Sequence, residues 1–345
     1  MIRRVLLAGL SLGPAVIGLH QLTNLGDTPL FVLSALALIP LAWLIGEATE
    51  HASEYTGPGI GGFLNATFGN APELIIALIA VNEGLFDVVR GSLIGSVVGN
   101  LLLVLGFSLF AGGSGMIERW SSFLSLGMVG VAIALFLIPS IPSWGSDPQS
   151  TQIVHLSVSV SIALLVVYAL TTGYSLRRHR IIHVSSDTEI DAWSFRASLA
   201  ALAGATVVTA LVAEVLVGSL ESFAEKAGLS DFFVAAVIVA IVGNAAEHGG
   251  AVIVAYRGKI KLAAEIALSS SAQVAVFLIP AVMLLSLLID PVGLGFRPVE
   301  IGALAAAVAV VIVTVGGGRS SRARGGLLIA AYVAVAVAFY IAGDR

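Results

Sequence analysis

Apolar residues in this chain come in long runs, without the two-residue alternation of a half-wet strand or the narrow stripe of a surface helix. A helix needs roughly 20 residues to cross about 30 Å of hydrocarbon. Eleven windows approach or reach that length: 4–20, 29–49, 60–82, 88–111, 120–141, 151–172, 194–220, 231–256, 260–289, 297–316 and 324–343. The pattern therefore predicts an all-α polytopic membrane protein with about eleven transmembrane helices. The longest polar break holds Arg177, Arg178 and Arg180, then Asp187, Glu189 and Asp191. It divides the chain into an N-terminal helix and loop (1–28), a five-helix unit (29–172), a cytoplasmic linker (173–193) and a second five-helix unit (194–345). Arg3 and Arg4 before an apolar run look like a signal peptide, but no small-x-small cleavage site follows, so the first helix is read as retained.

Loop charge sets the orientation. With the N-terminus in the cytoplasm and the C-terminus outside, thirteen of the 17 Lys and Arg residues fall on the cytoplasmic side. Five is an odd number of crossings, so the second unit enters the membrane from the opposite face. That makes an inverted repeat about a pseudo-two-fold axis lying in the membrane plane.

Composition agrees with this class. The 345 residues are 58% hydrophobic and 11% charged, and the mean hydropathy is +1.02. A soluble domain with so little charge could not cover its surface. There is no cysteine, which excludes disulfides, zinc-thiolate sites and thiol chemistry. The net charge of −4 is uninformative, because its distribution between loops matters more.

The polar exceptions carry the chemistry. Gly69-Asn70-Ala71-Pro72-Glu73 returns as Gly243-Asn244-Ala245-Ala246-Glu247, each inside an apolar window. A mid-membrane carboxylate is costly and marks function, and two with the same neighbours suggest one site built from two halves. The following windows repeat the match: Ser96 and Asn100 lie 23 and 27 residues after Glu73, and Ser269 and Gln273 lie 22 and 26 after Glu247. Residues three or four apart share a helix face, which groups Asn70 with Glu73, and Asn244 with Glu247 and His248. The set holds two carboxylates with neutral amide and hydroxyl oxygens and no sulfur, a cage for a hard cation. Two carboxylates match the charge of Ca2+, and glycines with Pro72 can loosen the helix and free carbonyls for it.

An unpaired carboxylate in a low-dielectric site favours its protonated form, whereas a bound cation favours the ionised one. A carrier that reorients only when its site is neutralised exchanges cation for protons. Several polar residues have simpler readings. Gly91, Gly95 and Gly99 form a helix-packing face, Ser270 and Ser271 bond back to their own helix, and Glu47, Glu50 and Glu54 are a solvated mouth. Glu214, inside a window with no cation nearby in sequence, is a candidate for a proton path or for support around the site. Arg177 to Arg180 anchor the cytoplasmic face and can touch anionic lipid. Neither HExxH nor a pair of membrane-embedded aspartates occurs, so an intramembrane enzyme is not expected.

The segments GEATEHASEYTGPGIGGFLNATFGNAPELI (46–75), GSLIGSVVGNLLLVLG (91–106), GNAAEHGGA (243–251) and SSSAQVAVFLIP (269–280) closely resemble the Ca2+/H+ antiporter (cation/proton exchanger) family. The resemblance, from about residue 29 to 343, implies proton-driven Ca2+ export through paired five-helix repeats, with no cofactor. It implies exchanging carboxylates at Glu73 and Glu247, with Asn70, Asn244, Ser96, Asn100, Ser269 and Gln273 around them and His248 after the second motif. The implied partners are Ca2+, protons and the lipid bilayer, with no nucleic acid and an open oligomeric state. The weakly acidic linker departs from the family pattern and puts a Ca2+-sensing role for it in doubt. The compact chain points to a prokaryotic plasma membrane. The alternative on the same scaffold is a Na+/H+ or K+/H+ antiporter.

Overall fold

The computed structural model describes residues 2–179 and 193–345. In order, the helices are α1 (Ile2–Gly9), α2 (Leu12–Leu22), α3 (Asp27–Phe68), α4 (Ala71–Asn82), α5 (Phe86–Val98), α6 (Leu105–Gly112), α7 (Arg119–Ser143), α8 (Thr151–His179), α9 (Phe195–Gly218), α10 (Leu220–Ala227), α11 (Asp231–Phe233), α12 (Ala240–Gly243), α13 (Ala245–Tyr256), α14 (Ile260–Gln273), α15 (Ile279–Ser286), α16 (Pro298–Val315) and α17 (Arg322–Ala342). Short π-helical stretches, Gly99–Val104, Val234–Val239 and Val274–Leu278, join α5 to α6, α11 to α12 and α14 to α15. The only strands among the described residues are β1 (Gly115–Met116) and β2 (Arg319–Ser320), an antiparallel pair.

Nine helices among the described residues are long and apolar enough to cross a membrane, or ten if the bent pair Leu220–Ala227 and Asp231–Gly243 counts as one. Nine of the eleven expected windows match these spans. The other two, 60–82 and 231–256, are interrupted inside the motifs. α3 ends at Phe68 and α4 begins at Ala71; α12 ends at Gly243 and α13 begins at Ala245. At the first break Pro72 lacks the N–H that a continuous helix would use, and its ring opposes continuation from the preceding turn. Asn70 and Asn244 adopt similar bridging backbone angles, φ −102 ψ 16 and φ −88 ψ 9, so the break forms without proline in the second copy. The glutamates are thus first-turn residues of two 12-residue helices, and not mid-helix residues as the windows implied.

Windows 29–49 and 60–82 also meet in a way the polar break between them does not suggest, because α3 keeps helical backbone throughout. A Cβ on Gly61 would nevertheless stand 2.9 Å from the Ser53 carbonyl oxygen. Eight residues of straight helix would separate them by about 12 Å, so α3 is not straight between Ser53 and Gly61. The linker is shorter than expected on its first side, since α8 continues to His179; its acidic residues lie outside the described residues.

The central spans run antiparallel. Phe86–Gly112 is 27 residues, about 40 Å of helix. Its far end packs against the start of α14, where a Cβ on Gly112 would meet Ile260 and the Ala255 carbonyl. Asp87 therefore marks one end of the molecule and Lys261 the other. In the middle, Gly91 and Gly95 let α5 approach the Phe232–Ala236 backbone, and a Cβ on Gly95 would overlap the Ala236 carbonyl. Small residues are used here because two backbones touch.

The Asp87 end is closed by the buried segment Val292–Phe296. Such a loop must have its backbone polar groups satisfied. Ser286 Oγ accepts from Val292 N at 3.0 Å, Gln149 Oε1 from Gly293 N at 2.8 Å and Ser157 Oγ from Leu294 N at 2.8 Å. Trp144 Nε1 donates to Phe296 O at 2.9 Å. Side chains of α8, α15 and the connection between α7 and α8 therefore hold this plug.

Candidate functional site

Each motif builds the same local device. An incoming helix ends at Phe68 or Gly243, and a new helix opens behind Asn70 or Asn244. The glutamate sits in the first turn of that helix, near its positive dipole end. A helix break and a carboxylate thereby lie together, an arrangement in which a cation can be bound.

The two devices meet. A Cβ on Gly243 would stand 3.2 Å from Glu73 Cγ and 3.4 Å from its Cδ. Reciprocally, a Cβ on Gly69 would stand 3.7 Å from Glu247 Oε1. Each carboxylate lies over the glycine that opens the other motif. A methyl on Gly243 would force Glu73 to give by a few tenths of an ångström, whereas one on Gly69 would meet Glu247 at ordinary contact distance and instead press on the Asn65 carbonyl oxygen at 2.5 Å.

A hydrogen-bonded belt ties these breaks to α5 and α14. Asn244 Nδ2 donates to Ser96 Oγ at 2.9 Å and to Ala240 O at 2.9 Å. Asn100 Nδ2 donates to Ser270 Oγ at 3.0 Å and to Asn244 Oδ1 at 3.3 Å. Ser270 Oγ in turn donates to Glu247 Oε2. Asn70, Asn244, Ser96, Asn100, Ser270 and Glu73 are all buried. Asn100 sits in the π-helical stretch after Gly99, and Gln273 is the last residue before Val274–Leu278. Such π-bulges are enriched where a helix carries function.

Some buried atoms in or beside this belt have no hydrogen-bond partner: Glu73 Oε2, Asn100 Oδ1 and His248 Nε2. Two of the three are oxygens, which suit a hard cation. No group of three or more His, Cys, Asp or Glu side chains forms a conventional metal cluster among the described residues. The set consists of two carboxylates and neutral oxygens, and its cation would be cargo.

Placement corrects one expected residue. Ser269 is exposed and its hydroxyl bonds back to Ile266 O at 3.3 Å, whereas Ser270 joins the two halves. The spacing already carried that signal, since Ser270 follows Glu247 by the same 23 residues that separate Ser96 from Glu73. Gln273 and His248 are half-buried beside the belt. Ser271 does bond back to its own helix, at Ala267 O. Glu214 is exposed near the end of α9, away from the belt, so it does not line the site. The reciprocal glycines Gly69 and Gly243 were read only as helix-loosening residues.

The burial of the two glutamates differs. Glu73 is only 5% exposed, and Ile76, Ala77, Ala80 and Val81 beyond it are at most 1% exposed. Glu247 is half-buried, and Gly249, Gly250 and Ser269 around it are exposed. The Glu247 half of the pair is thus more exposed than the Glu73 half.

Broken helices that meet at paired carboxylates, within a bundle of membrane-length helices, are the mark of a secondary ion transporter. The chain belongs to the family described as sodium/calcium exchanger protein, whose model matches residues 27–177 and 197–341. It is 38% identical to the Ca(2+)/H(+) antiporter ChaA of Bacillus subtilis over 327 residues, covering 90% of this chain and 92% of that protein. It is 36% identical to a Ca(2+)/H(+) antiporter of Synechocystis, covering 91% of each chain. The solved structure of native YfkE superposes with a TM-score of 0.84 at 35% identity, covering 99% of this chain and 100% of that one. The H+/Ca2+ exchanger CAX shares the fold at a TM-score of 0.76 and 15% identity, covering 99% and 92%.

Proposed function

We propose that this chain is a secondary antiporter that exports cytosolic Ca2+ in exchange for protons, by alternating access of one site formed by Glu73 and Glu247. The reciprocal packing of these carboxylates on Gly243 and Gly69 carries the reading, because it puts two ionisable groups and a belt of neutral oxygens around one place. The similarity to proteins named Ca2+/H+ antiporters supports Ca2+ and protons as the exchanged ions.

Two charged carboxylates match Ca2+, and carbonyl, amide and water oxygens complete its six to eight ligands. An empty, doubly charged site in low dielectric is the unfavourable form. Crossing the membrane with either Ca2+ or protons avoids it, which couples the two fluxes. Ser96, Asn100, Asn244 and Ser270 orient the acids, Asn70 lies in the same polar patch, and Gln273 and His248 border it. The halves correspond element by element, α4 to α13 and α5–α6 to α14–α15, which supports an inverted repeat with two alternative packings. Positive-inside charge supports a cytoplasmic Lys261 side, and the greater exposure around Glu247 supports a site open to it. Lipid surrounds the bundle, and the membrane is assigned as a prokaryotic plasma membrane.

The test is 45Ca2+ uptake into proteoliposomes under an imposed pH gradient. Gradient-driven Ca2+ accumulation is expected. Na+ or K+ flux with no Ca2+ flux would instead favour the monovalent-cation antiporter on the same scaffold and overturn the Ca2+ assignment.

A further inference from the structure

The most heavily charged buried region lies away from the site, at the Asp87 end. Arg90, 4% exposed, is in the first turns of α5 and donates to Asp87. Glu300, 0% exposed, is in the first turn of α16, where its Oε1 accepts from Arg297 Nε at 2.5 Å and its Oε2 from Arg297 N at 3.1 Å. Arg90 lies near enough to act on Glu300 electrostatically. The Arg297 guanidinium also covers the Phe232 ring at 4.2 Å and donates to Gly343 O at 2.7 Å. Beyond it, Asp344 accepts from Phe232 N at 2.8 Å, and Arg345 Nη2 donates to Ser143 O at 2.6 Å. Five segments distant in sequence are tied here: the starts of α5, α11 and α16, the end of α7, and the chain after α17.

The repeat-equivalent place at the other end is built differently. Lys261 follows Glu247 by 14 residues, as Asp87 follows Glu73, and Glu118 precedes α7 as Arg297 precedes α16. There a single pair, Lys261 Nζ to Glu118 Oε2 at 3.0 Å, stands in the open with side chains 59% and 41% exposed. The closed end of the site has the buried network, and the open end has the exposed pair.

We propose that Glu300, through Arg297 and Arg90, is a positioning residue for exchange: it latches the Asp87 end shut over Glu73 and must release for the site to open outward. This rests on the alternating-access reading above. Arg90 is six residues from Ser96, about 9 Å along the helix, so the network acts on helix ends and not on the ion. A buried ion pair contributes little net stability, but removing one partner leaves the other charge buried and unpaired. In an outward-open form water would solvate those guanidinium groups, so loss of the Glu300 carboxylate weakens the closed form selectively. A shift between two access states requires such a difference between them.

The chain has no cysteine, so introduced thiols report alone. Ala77→Cys, one turn beyond Glu73 toward the Asp87 end, is the reporter, probed in sealed vesicles with a membrane-impermeant methanethiosulfonate on the Asp87 face. Ala132→Cys, buried in α7, reports general loosening. In the Glu300→Gln background, labelling at residue 77 is expected to quicken at least tenfold, with residue 132 unchanged and the KM for Ca2+ at the Lys261 face raised. Lys261→Gln should change neither label. Unchanged labelling at residue 77, or equal quickening at residue 132, would overturn the latch. Labelling needs no ion gradient, so it separates failure of the latch from failure of the Ca2+/H+ assignment.

Discussion

Glu73 packs on Gly243: a Cβ there would stand 3.2 Å from the glutamate Cγ, and no backbone atom is among its nearest neighbours. Gly243→Ala is therefore expected to displace the carboxylate by a few tenths of an ångström without unfolding the protein. Such a misplacement should weaken Ca2+ transport about tenfold, given that a 1 Å error at a reacting group can cost about a hundredfold. Initial rates in proteoliposomes against Ca2+ concentration, with melting temperature alongside, check it.

Ser270 and Ser269 separate two neighbouring hydroxyls by role. Ser270 donates to Glu247 and accepts from Asn100, so Ser270→Ala leaves both short of a partner. Losing a buried partner costs about 1–3 kcal/mol, or roughly 5- to 150-fold in Ca2+ affinity by titration calorimetry. Ser269→Ala, at an exposed position, should stay within about twofold.

Gly95 is a packing residue and its variant should fail on stability. A Cβ there would overlap the Ala236 backbone, whereas nothing lies within 4 Å of one on Gly99. Gly95→Ala is expected to lose about 1–3 kcal/mol from overpacking, seen as a lowered melting temperature in detergent. Gly99→Ala should melt at or above the parent.

At the exposed end, a hydrogen bond from Lys261, reinforced by its charge, holds the Glu118 carboxyl below the usual carboxylate range. Stability from a depressed carboxylate is present above the ordinary value and fades as pH falls through the folded one. Both side chains are well exposed, so salt screens the pair. Lys261→Met should melt slightly below the parent at neutral pH and low salt, and equally at high salt or under strong acid.

The sequence was legible wherever hydropathy alone decides structure. Nine apolar windows became spans, and the two GNAxE motifs lie together, each carboxylate over the other motif's glycine. What hydropathy could not show was the break inside the other two windows. Gly69, Asn70 and Pro72 are boundary residue types, but in the second copy Gly243-Asn244 stands without proline in an otherwise apolar stretch, so 231–256 reads as one run. Ser270 was obscured by serines on either side, whose equal polarity hid a helical phase that only the 23-residue spacing resolves. Glu300 was hidden differently: three residues after Arg297 it reads as a helix-end ion pair, and only packing reveals how deeply it is buried.

Glu73 and Glu247 are assigned to hold either Ca2+ or protons, and proton release on Ca2+ binding measures that most directly. Calorimetric Ca2+ titrations in two buffers of different ionisation heat give the number of protons displaced. The parent should release protons on binding Ca2+, and Glu73→Gln and Glu247→Gln should each lose both the release and most of the affinity. Unchanged Ca2+ binding and proton release in either variant would contradict the account.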